Sequence, residues 1–497
     1  PVTVIRVNEQ GKLTLNSEAL RSVLLQNDVR NLPVVVLSVA GAFRTGKSSI
    51  LNVLLRFPFL EFEDWLGEPD KPLEGFPWKS GSDAHTEGIV FWSHLFRAVT
   101  ADKKKVAVLL VDTQGSFGTS SSTTVSVHIF ALSVLISSIQ VFNVMRNLQV
   151  DHLQHLQKCY QYGKYVQGLE RGKSGFQLCV FLVRDWQWPE DCEFGWEGGE
   201  RLLQKILGVE SKNKATDELL ELRTYFKTCL SSQNCFLMPS PGLTDDGCSL
   251  NGAVNGIPPS FKECLRDFVR GVLSPSELVV KTLDGEPRTA SQLCKFVEKM
   301  TPIFSSKELP LPDLVIGKAA EFCAELARDK ALMEYRYSLG QVFQSDGKLI
   351  SPEELKQKEE NMRNKVLDSF DNAACLKLNE CKEKERKSLI KQLKTIFSDV
   401  WKSYQDVRKK YEESKKLHDD LTIATISLSA IAKALMLFVA CIPMATIPMA
   451  IVFTTSITAD LAATGTGMAA AITNRQNEKD SADAARKLPA DLEKKQS

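Results

Sequence analysis

The residues Gly41-Ala42-Phe43-Arg44-Thr45-Gly46-Lys47-Ser48 match the pattern GxxxxGK[ST]. They lie between an apolar run, Val34–Val39, and a helix-like stretch opened by Ser49. Phosphate binding requires that strand–loop–helix setting. The glycines let the loop turn its N–H groups toward phosphate oxygens, and the start of the helix adds partial positive charge. Lys47 is placed to reach the β- and γ-phosphates and Ser48 to ligate Mg²⁺. Gly41 through Ser49 are therefore the expected phosphate-binding set.

Three further signals lie downstream. Val111-Asp112-Thr113-Gln114-Gly115 ends a second apolar run, Val106–Val111. An acid at a strand end can hold a water ligand of magnesium, and Gly115 lets a backbone N–H approach the γ-phosphate. In the loop His85-Thr86-Glu87-Gly88, Thr86 can offer its hydroxyl to Mg²⁺ when a nucleoside triphosphate orders the loop. The metal set is thus Ser48, Thr86 and, through water, Asp112. Arg184-Asp185 follows a third run, Leu178–Val183, and supplies the base reader. A carboxylate accepts from both N1–H and the 2-amino group of guanine, a pair that adenine does not present. Asn213-Lys214-Ala215-Thr216-Asp217 looks like a guanine-reading NKxD, but its acid stands one residue too far on and no strand precedes it.

Hydrolysis builds negative charge that needs a cation. Small GTPases carry a water-orienting glutamine directly after the DxxG glycine; here that position is Ser116. Arg44, inside the phosphate loop, becomes the candidate for stabilising the transition state in cis. Arg44, Lys47 and Thr86 are the expected catalytic residues, GTP the expected substrate and Mg²⁺ the expected cofactor.

These residues need a scaffold. Val34–Val39, Val106–Val111 and Leu178–Val183 read as buried strands of a mainly parallel sheet with helices in the crossovers. This α/β P-loop GTPase domain is expected over residues 1–305. Pro310 and Pro312, within Glu308-Leu309-Pro310-Leu311-Pro312, stiffen a linker at 306–312 and stop any helix running through it. Beyond it, 313–345, 352–380 and 384–416 are charge-rich and helix-periodic, an all-α three-helix bundle over 313–416. Ser351-Pro352-Glu353-Glu354 is a helix start, with serine as cap and proline at the first helical position.

The chain has 497 residues, too many for one core, with 43% hydrophobic and 25% charged residues, which excludes a mostly disordered chain. A net charge of +1 gives no electrostatic case for nucleic acid. The 12 cysteines form no CxxC pair and read as reduced thiols of a cytosolic body. The opening PVTVIRVNEQ lacks the basic and apolar regions of a secretory signal.

From Leu421 to Asn474 only Lys433 and Asp460 carry charge, a block long enough for two membrane-spanning helices. Pro443 and Pro448 near its middle suggest a C-terminal membrane helical hairpin over 421–474; the alternative is a single span, Ala434–Thr454. Lys415 and Lys416 before the block and Arg475 after it place both flanks on one side. In a hairpin Lys433 falls near position 458, close to Asp460, so the two are expected to pair, since an unpaired charge there costs about 3 kcal/mol or more. Lys433→Leu should then impair membrane insertion while Lys433→Leu with Asp460→Leu restores it; a double variant as impaired as the single one rules the pairing out. The cytosolic polar tail, 475–497, has no long apolar stripe and is interrupted by Pro489.

The motifs GAFRTGKS (Gly41–Ser48), VDTQG (Val111–Gly115), FLVRDW (Phe181–Trp186), ISSIQ (Ile136–Gln140), DHLQHLQ (Asp151–Gln157) and ELPLP (Glu308–Pro312) resemble those of the atlastin family of membrane-anchored, dynamin-like GTPases. The His85–Ile89 loop is similar to that of guanylate-binding proteins and of the RING-bearing relative of atlastins. The resemblance implies a homodimer through the GTPase domains and middle domains, formed across the nucleotide faces. It implies that Arg44 turns inward to assist hydrolysis, that Thr86 and Asp112 are the switch residues, and that Arg184 and Asp185 bind guanine. It further implies bundles that swing about the proline linker to tether or fuse endoplasmic reticulum membranes. The chain would then be multi-pass in the lipid bilayer of that membrane, with both termini cytosolic. A membrane-anchored GTP-dependent scaffold without fusion activity is the alternative. A guanylate-binding protein proper is disfavoured, since no C-terminal CaaX occurs.

Overall fold

The computed structural model describes residues 1–42, 45–59, 65–67, 73–77, 87–115, 123–149, 151–154, 156–157, 177–207, 233–242, 256–306, 308–343, 350–373 and 379–416. Phe43, Arg44, Thr86, the NKxD-like segment 213–217, the apolar block 421–474 and the tail 475–497 lie outside the described residues. Among those described, no helix is long and apolar enough to cross a membrane.

The three apolar runs form strands. Val34–Gly41 is β3, Lys105–Thr113 is β6 and Leu178–Arg184 is β8; β1 (Val2–Val7), β2 (Leu13–Leu15), β4 (Ile89–Phe91), β5 (Phe96–Val99), β7 (Ile139–Met145) and β9 (Gln233–Leu237) complete one sheet. Its order is β2-β1-β4-β6-β3-β7-β8-β9, with β5 also paired to β6. Every residue of β3 is buried, as a strand covered by helices on both faces must be. The centre is parallel: β3 pairs with β6 and β7, β7 with β8, and β8 with β9. Outside β6 the pairing turns antiparallel through β4, β1 and β2. The domain is thus mixed, with a parallel core and an antiparallel flank.

Parallel strands need crossovers, and α2 (Lys47–Leu54), α3 (Thr123–Ile136) and α4 (Trp196–Leu207) lie in them; α1 (Ser17–Leu24) precedes β3, and α5 (Pro259–Leu273) and α6 (Ala290–Met300) follow β9. One face of the sheet packs Val35, Leu37, Val39, Val108 and Leu110 against Ile50, Leu51 and Leu54 of α2. This packing fixes the start of α2 directly beyond the carboxyl end of β3. Loops at the carboxyl ends of a parallel sheet share one edge, where α/β folds bind ligands.

A helical region follows: α7 (Pro312–Val342), α8 (Pro352–Asn372) and α9 (Asn379–Lys416). Ser351 caps α8 as its sequence foretells, its hydroxyl accepting from the Glu354 N–H at 3.1 Å. Asn372 ends α8, earlier than the periodicity suggests, because Ala373 turns extended (ψ 133°) where no glycine or proline marks the break. The described chain divides into two compact units, Pro1–Ala324 with Ala374–Lys382, and Glu325–Ala373 with the described residues from Glu383 on. Ala331, Leu332, Tyr335 and Leu339 of α7 meet Val366 and Phe370 of α8 and Leu389 and Leu393 of α9 in the core of the second unit. Two buried acids there are partnered. Tyr335 donates to Glu359 at 2.9 Å, and Arg328 pairs with Glu385 at 2.5 Å.

Candidate functional site

The phosphate loop leaves β3 against its neighbour β7. Gly41 stands beside Asn143 in register with φ +153°, and a Cβ there would lie 2.1 Å from the Asn143 carbonyl oxygen. At the other end of the loop Gly46 has φ +74°, and its Cβ would strike Nη1 of Arg184 at 2.4 Å. Glycine is demanded at both ends: L side chains avoid these conformations, and neighbouring groups fill the space.

Two residues that spacing alone does not reveal support the loop from beneath. Asn143, fully buried on β7, donates from Nδ2 to the Thr45 carbonyl at 2.7 Å and to the Thr45 hydroxyl oxygen at 3.0 Å. Arg184, at the end of β8, donates from Nη1 to the carbonyls of Thr45 (3.3 Å) and Gly46 (3.2 Å). The Thr45 and Gly46 carbonyls are thereby drawn toward β7 and β8. Arg184 therefore buttresses the phosphate loop, and Asp185 is the next residue along the chain. The signal for Asn143 was a polar residue inside the apolar run Ile139–Met145.

Lys47 opens α2 and is only 7% exposed. Its ammonium donates to the Ala42 carbonyl at 3.0 Å, across the mouth of the loop. Burial pushes its pKa down to about 8, with the charge of Asp112 acting in the opposite sense. Next to it Ser48 donates to Oδ2 of Asp112 at 2.7 Å. The contact follows from topology, since Asp112 is in register with Val39 on the adjacent strand. Thr113 secures the same crossing by donating to the Val39 carbonyl at 2.9 Å.

A serine hydroxyl and a carboxylate form a hard-oxygen donor set that suits Mg²⁺. Among the described residues no group of three or more His, Cys, Asp or Glu could hold a metal. A cation here would draw its remaining ligands from outside this pair: phosphate, water and the expected Thr86 hydroxyl.

Gln114 links the DxxG segment to the end of the loop that carries Thr86. Its N–H donates to the Gly88 carbonyl at 2.8 Å, and its Oε1 accepts from the Gly88 N–H at 2.9 Å. Gly115, the next residue, is buried.

Asp185 has φ +53°, a conformation that Asp tolerates better than most residues. One carboxylate oxygen, Oδ1, is buried with no hydrogen-bond partner among the described residues. The loop is held from behind: Trp186, 6% exposed, donates from its backbone to the Met238 carbonyl at 3.0 Å and from Nε1 to the Cys192 carbonyl at 2.8 Å. β3 and β8 flank β7, so the phosphate loop and Asp185 stand about 10 Å apart across the sheet, two strand spacings.

Ala42, Thr45, Gly46, Lys47, Ser48, Ser49, Asp112, Gly115, Arg184 and Asp185 are therefore gathered at the carboxyl edge of the central strands. Residues 10–283 match the model of the guanylate-binding protein N-terminal domain. Atlastin-3 of Mus musculus is 38% identical over 376 residues, 74% of this chain and 69% of its own length. Atlastin of Drosophila melanogaster is 35% identical over 404 residues, 80% of this chain and 74% of its own. Atlastin-2 of Homo sapiens is 36% identical over 373 residues, 74% and 64% respectively. With the site, the domain match and the relatives in agreement, the chain belongs to the atlastin family of GTPases and carries a guanylate-binding-protein-type amino-terminal domain.

Proposed function

We propose that this GTPase is membrane-anchored, dimerises through its GTPase domains and middle domains when it binds and hydrolyses GTP, and so tethers or fuses endoplasmic reticulum membranes. The observation that carries the guanine-nucleotide part is the placement of Lys47, the Ser48–Asp112 pair and the unpartnered Asp185 oxygen along one sheet edge. Ser48, Thr86 and, through water, Asp112 would hold Mg²⁺, which neutralises phosphate charge when bound. Lys47 binds the β- and γ-phosphates, Gly115 presents its N–H to the γ-phosphate, and Arg44 stabilises charge as water attacks the γ-phosphorus and the bond to the β-phosphate oxygen breaks. GDP and inorganic phosphate are the products. The apolar block 421–474 supports a hairpin anchor with both termini cytosolic, and the proline linker 306–312 joins the GTPase domain to a helical middle domain spanning 313–416.

The polar tail favours a second reading, a GTP-dependent tether that does not merge bilayers, because its apolar residues form no stripe able to lie in a membrane interface. Liposomes bearing the full chain distinguish the two by scoring docking and lipid mixing separately. Solution mass with and without a GTP transition-state analogue tests the dimer; an unchanged mass rules it out.

Base recognition has its own test. Asp185→Asn exchanges an acceptor for an amide and leaves the guanine 2-amino group facing a donor. GTP affinity should fall about 10- to 100-fold, the cost of one mispaired buried polar contact. Xanthosine triphosphate, with a carbonyl in place of that amino group, should gain what GTP loses. Unchanged preference would remove Asp185 from the base site.

Lys47 predicts a pH dependence. Phosphate pairs with the protonated amine, whose pKa before binding lies at about 8. GTP affinity should be constant below about pH 7.5 and fall toward about tenfold per pH unit well above 8, as the proton must be regained on binding. A dissociation constant still flat at pH 9.5 contradicts this.

A further inference from the structure

His128 lies on the second turn of α3, the helix that follows the DxxG segment, and is 2% exposed. A polar ring there is unexpected. Its neighbours Ile129, Phe130, Ala131 and Leu132 are all buried, and a helix apolar all round is ordinarily filled with apolar side chains. Its Nε2 has no hydrogen-bond partner among the described residues. A leucine would pack without that unsatisfied atom, so the ring costs stability, and its contacts indicate what it supplies.

Two of the ring's contacts lie on the segment that leads out of the GTPase domain. It packs edge-on against Phe304, with centroids 6.3 Å apart and planes at 77°. It also hydrogen-bonds the backbone of Glu308, at the start of the proline linker. Phe304 belongs to the 3₁₀ turn Thr301–Ser305, fully buried and tied down by Ser305, whose hydroxyl donates to the Leu13 carbonyl at 2.7 Å.

The far end of α3 is fixed. Lys281 donates to the Ser137 carbonyl at 2.9 Å, and Ser133 and Ser137 both donate to Oε1 of Gln140 at 3.2 and 3.1 Å. Ser133 also shares a 2.7 Å contact with Ser38 on β3. α3 is thus held at its carboxyl end and follows the DxxG segment in the chain, so that a change at its amino end would act as a tilt about the held end. His128 sits between the two, where a tilt reaches Phe304 and Glu308 directly.

We propose that His128 is a positioning residue that carries the state of the γ-phosphate loop through α3 to the proline linker. This rests on the GTPase reading above and adds the route by which the site acts on the linker. His128 is not among the residues assigned to nucleotide or metal, so its loss should uncouple the linker without stopping hydrolysis.

The test is amide hydrogen exchange on the full chain, free and with GDP and aluminium fluoride. His128→Phe keeps a ring against Phe304 and removes the hydrogen bond to Glu308; His128→Gln keeps a donor. In the parent, nucleotide should change exchange about fivefold or more in peptides of both α3 and 301–311. In His128→Phe the α3 response and kcat stay within about twofold of the parent, while the linker response falls about fivefold or more and His128→Gln restores it. A linker response in His128→Phe equal to the parent's overturns the relay. If His128→Phe fails to bind nucleotide, Phe304→Leu carries the same comparison with the histidine intact. A parent that responds in α3 but not in the linker overturns the relay alone; a parent that responds in neither overturns the GTPase reading and the relay with it.

Discussion

Replacing Arg44 by alanine should leave GTP affinity nearly unchanged and lower kcat by about 10³-fold or more, the range that an arginine contributes when it meets transition-state charge. The expectation comes from what the site otherwise lacks. Ser116 occupies the position where small GTPases carry a water-orienting glutamine. The cations within the described site are committed: Lys47 to the loop mouth and Arg184 to the carbonyls beneath it. Neither is free to follow charge developing on the far side of the γ-phosphate. Arg44, by its place in the phosphate-loop sequence, is the candidate for that charge. Single-turnover hydrolysis at saturating GTP, with affinity measured separately by a fluorescent analogue, separates chemistry from binding. Full turnover in Arg44→Ala would assign the transition-state charge elsewhere.

How far the sequence reveals this site depends on whether a feature is carried by one segment or by neighbours across the sheet. β3, β6 and β8 are legible because each is a single buried run, and the phosphate loop and Asp112 because their spacing is local. The support beneath the loop is not local. Asn143 and Arg184 reach Thr45 only because β7 lies beside β3 and β8 beside β7, an order that no run of residues announces. The sequence therefore assigns Arg184 to guanine with Asp185, while its described contacts are with loop carbonyls. The antiparallel flank escaped for a different reason: β2 and β4 span three residues each, too short for a period to show. The end of α8 was missed because Ala373 breaks the helix without a glycine or proline. Arg44 and Thr86 rest on sequence and family likeness, since they lie outside the described residues.

Lys47→Ala should abolish measurable GTP binding and turnover while leaving the fold as stable as the parent's. Truncating one partner of a buried charge pair costs about 2–5 kcal/mol, or 30- to several-thousand-fold in affinity. The upper part of that range applies here, because the phosphates carry several charges and the ammonium is only 7% exposed. Stability should move the other way. Burial disfavours the charged amine, and its pKa near 8 shows that the folded chain bears this cost at neutral pH, where the group is still protonated. Its bond to Ala42 and the opposing charge of Asp112 recover only part of that. Removing the amine should therefore keep the melting temperature of the nucleotide-free chain level or raise it, as expected where a strained residue serves function over stability. The decisive pair of measurements is a nucleotide titration and a melting curve on the same preparation. Lost binding with an unchanged or higher melting temperature assigns Lys47 to the phosphates. Lost binding with a collapsed fold would instead make the lysine a structural support, and retained binding would place the nucleotide somewhere other than the edge formed by β3, β6 and β8.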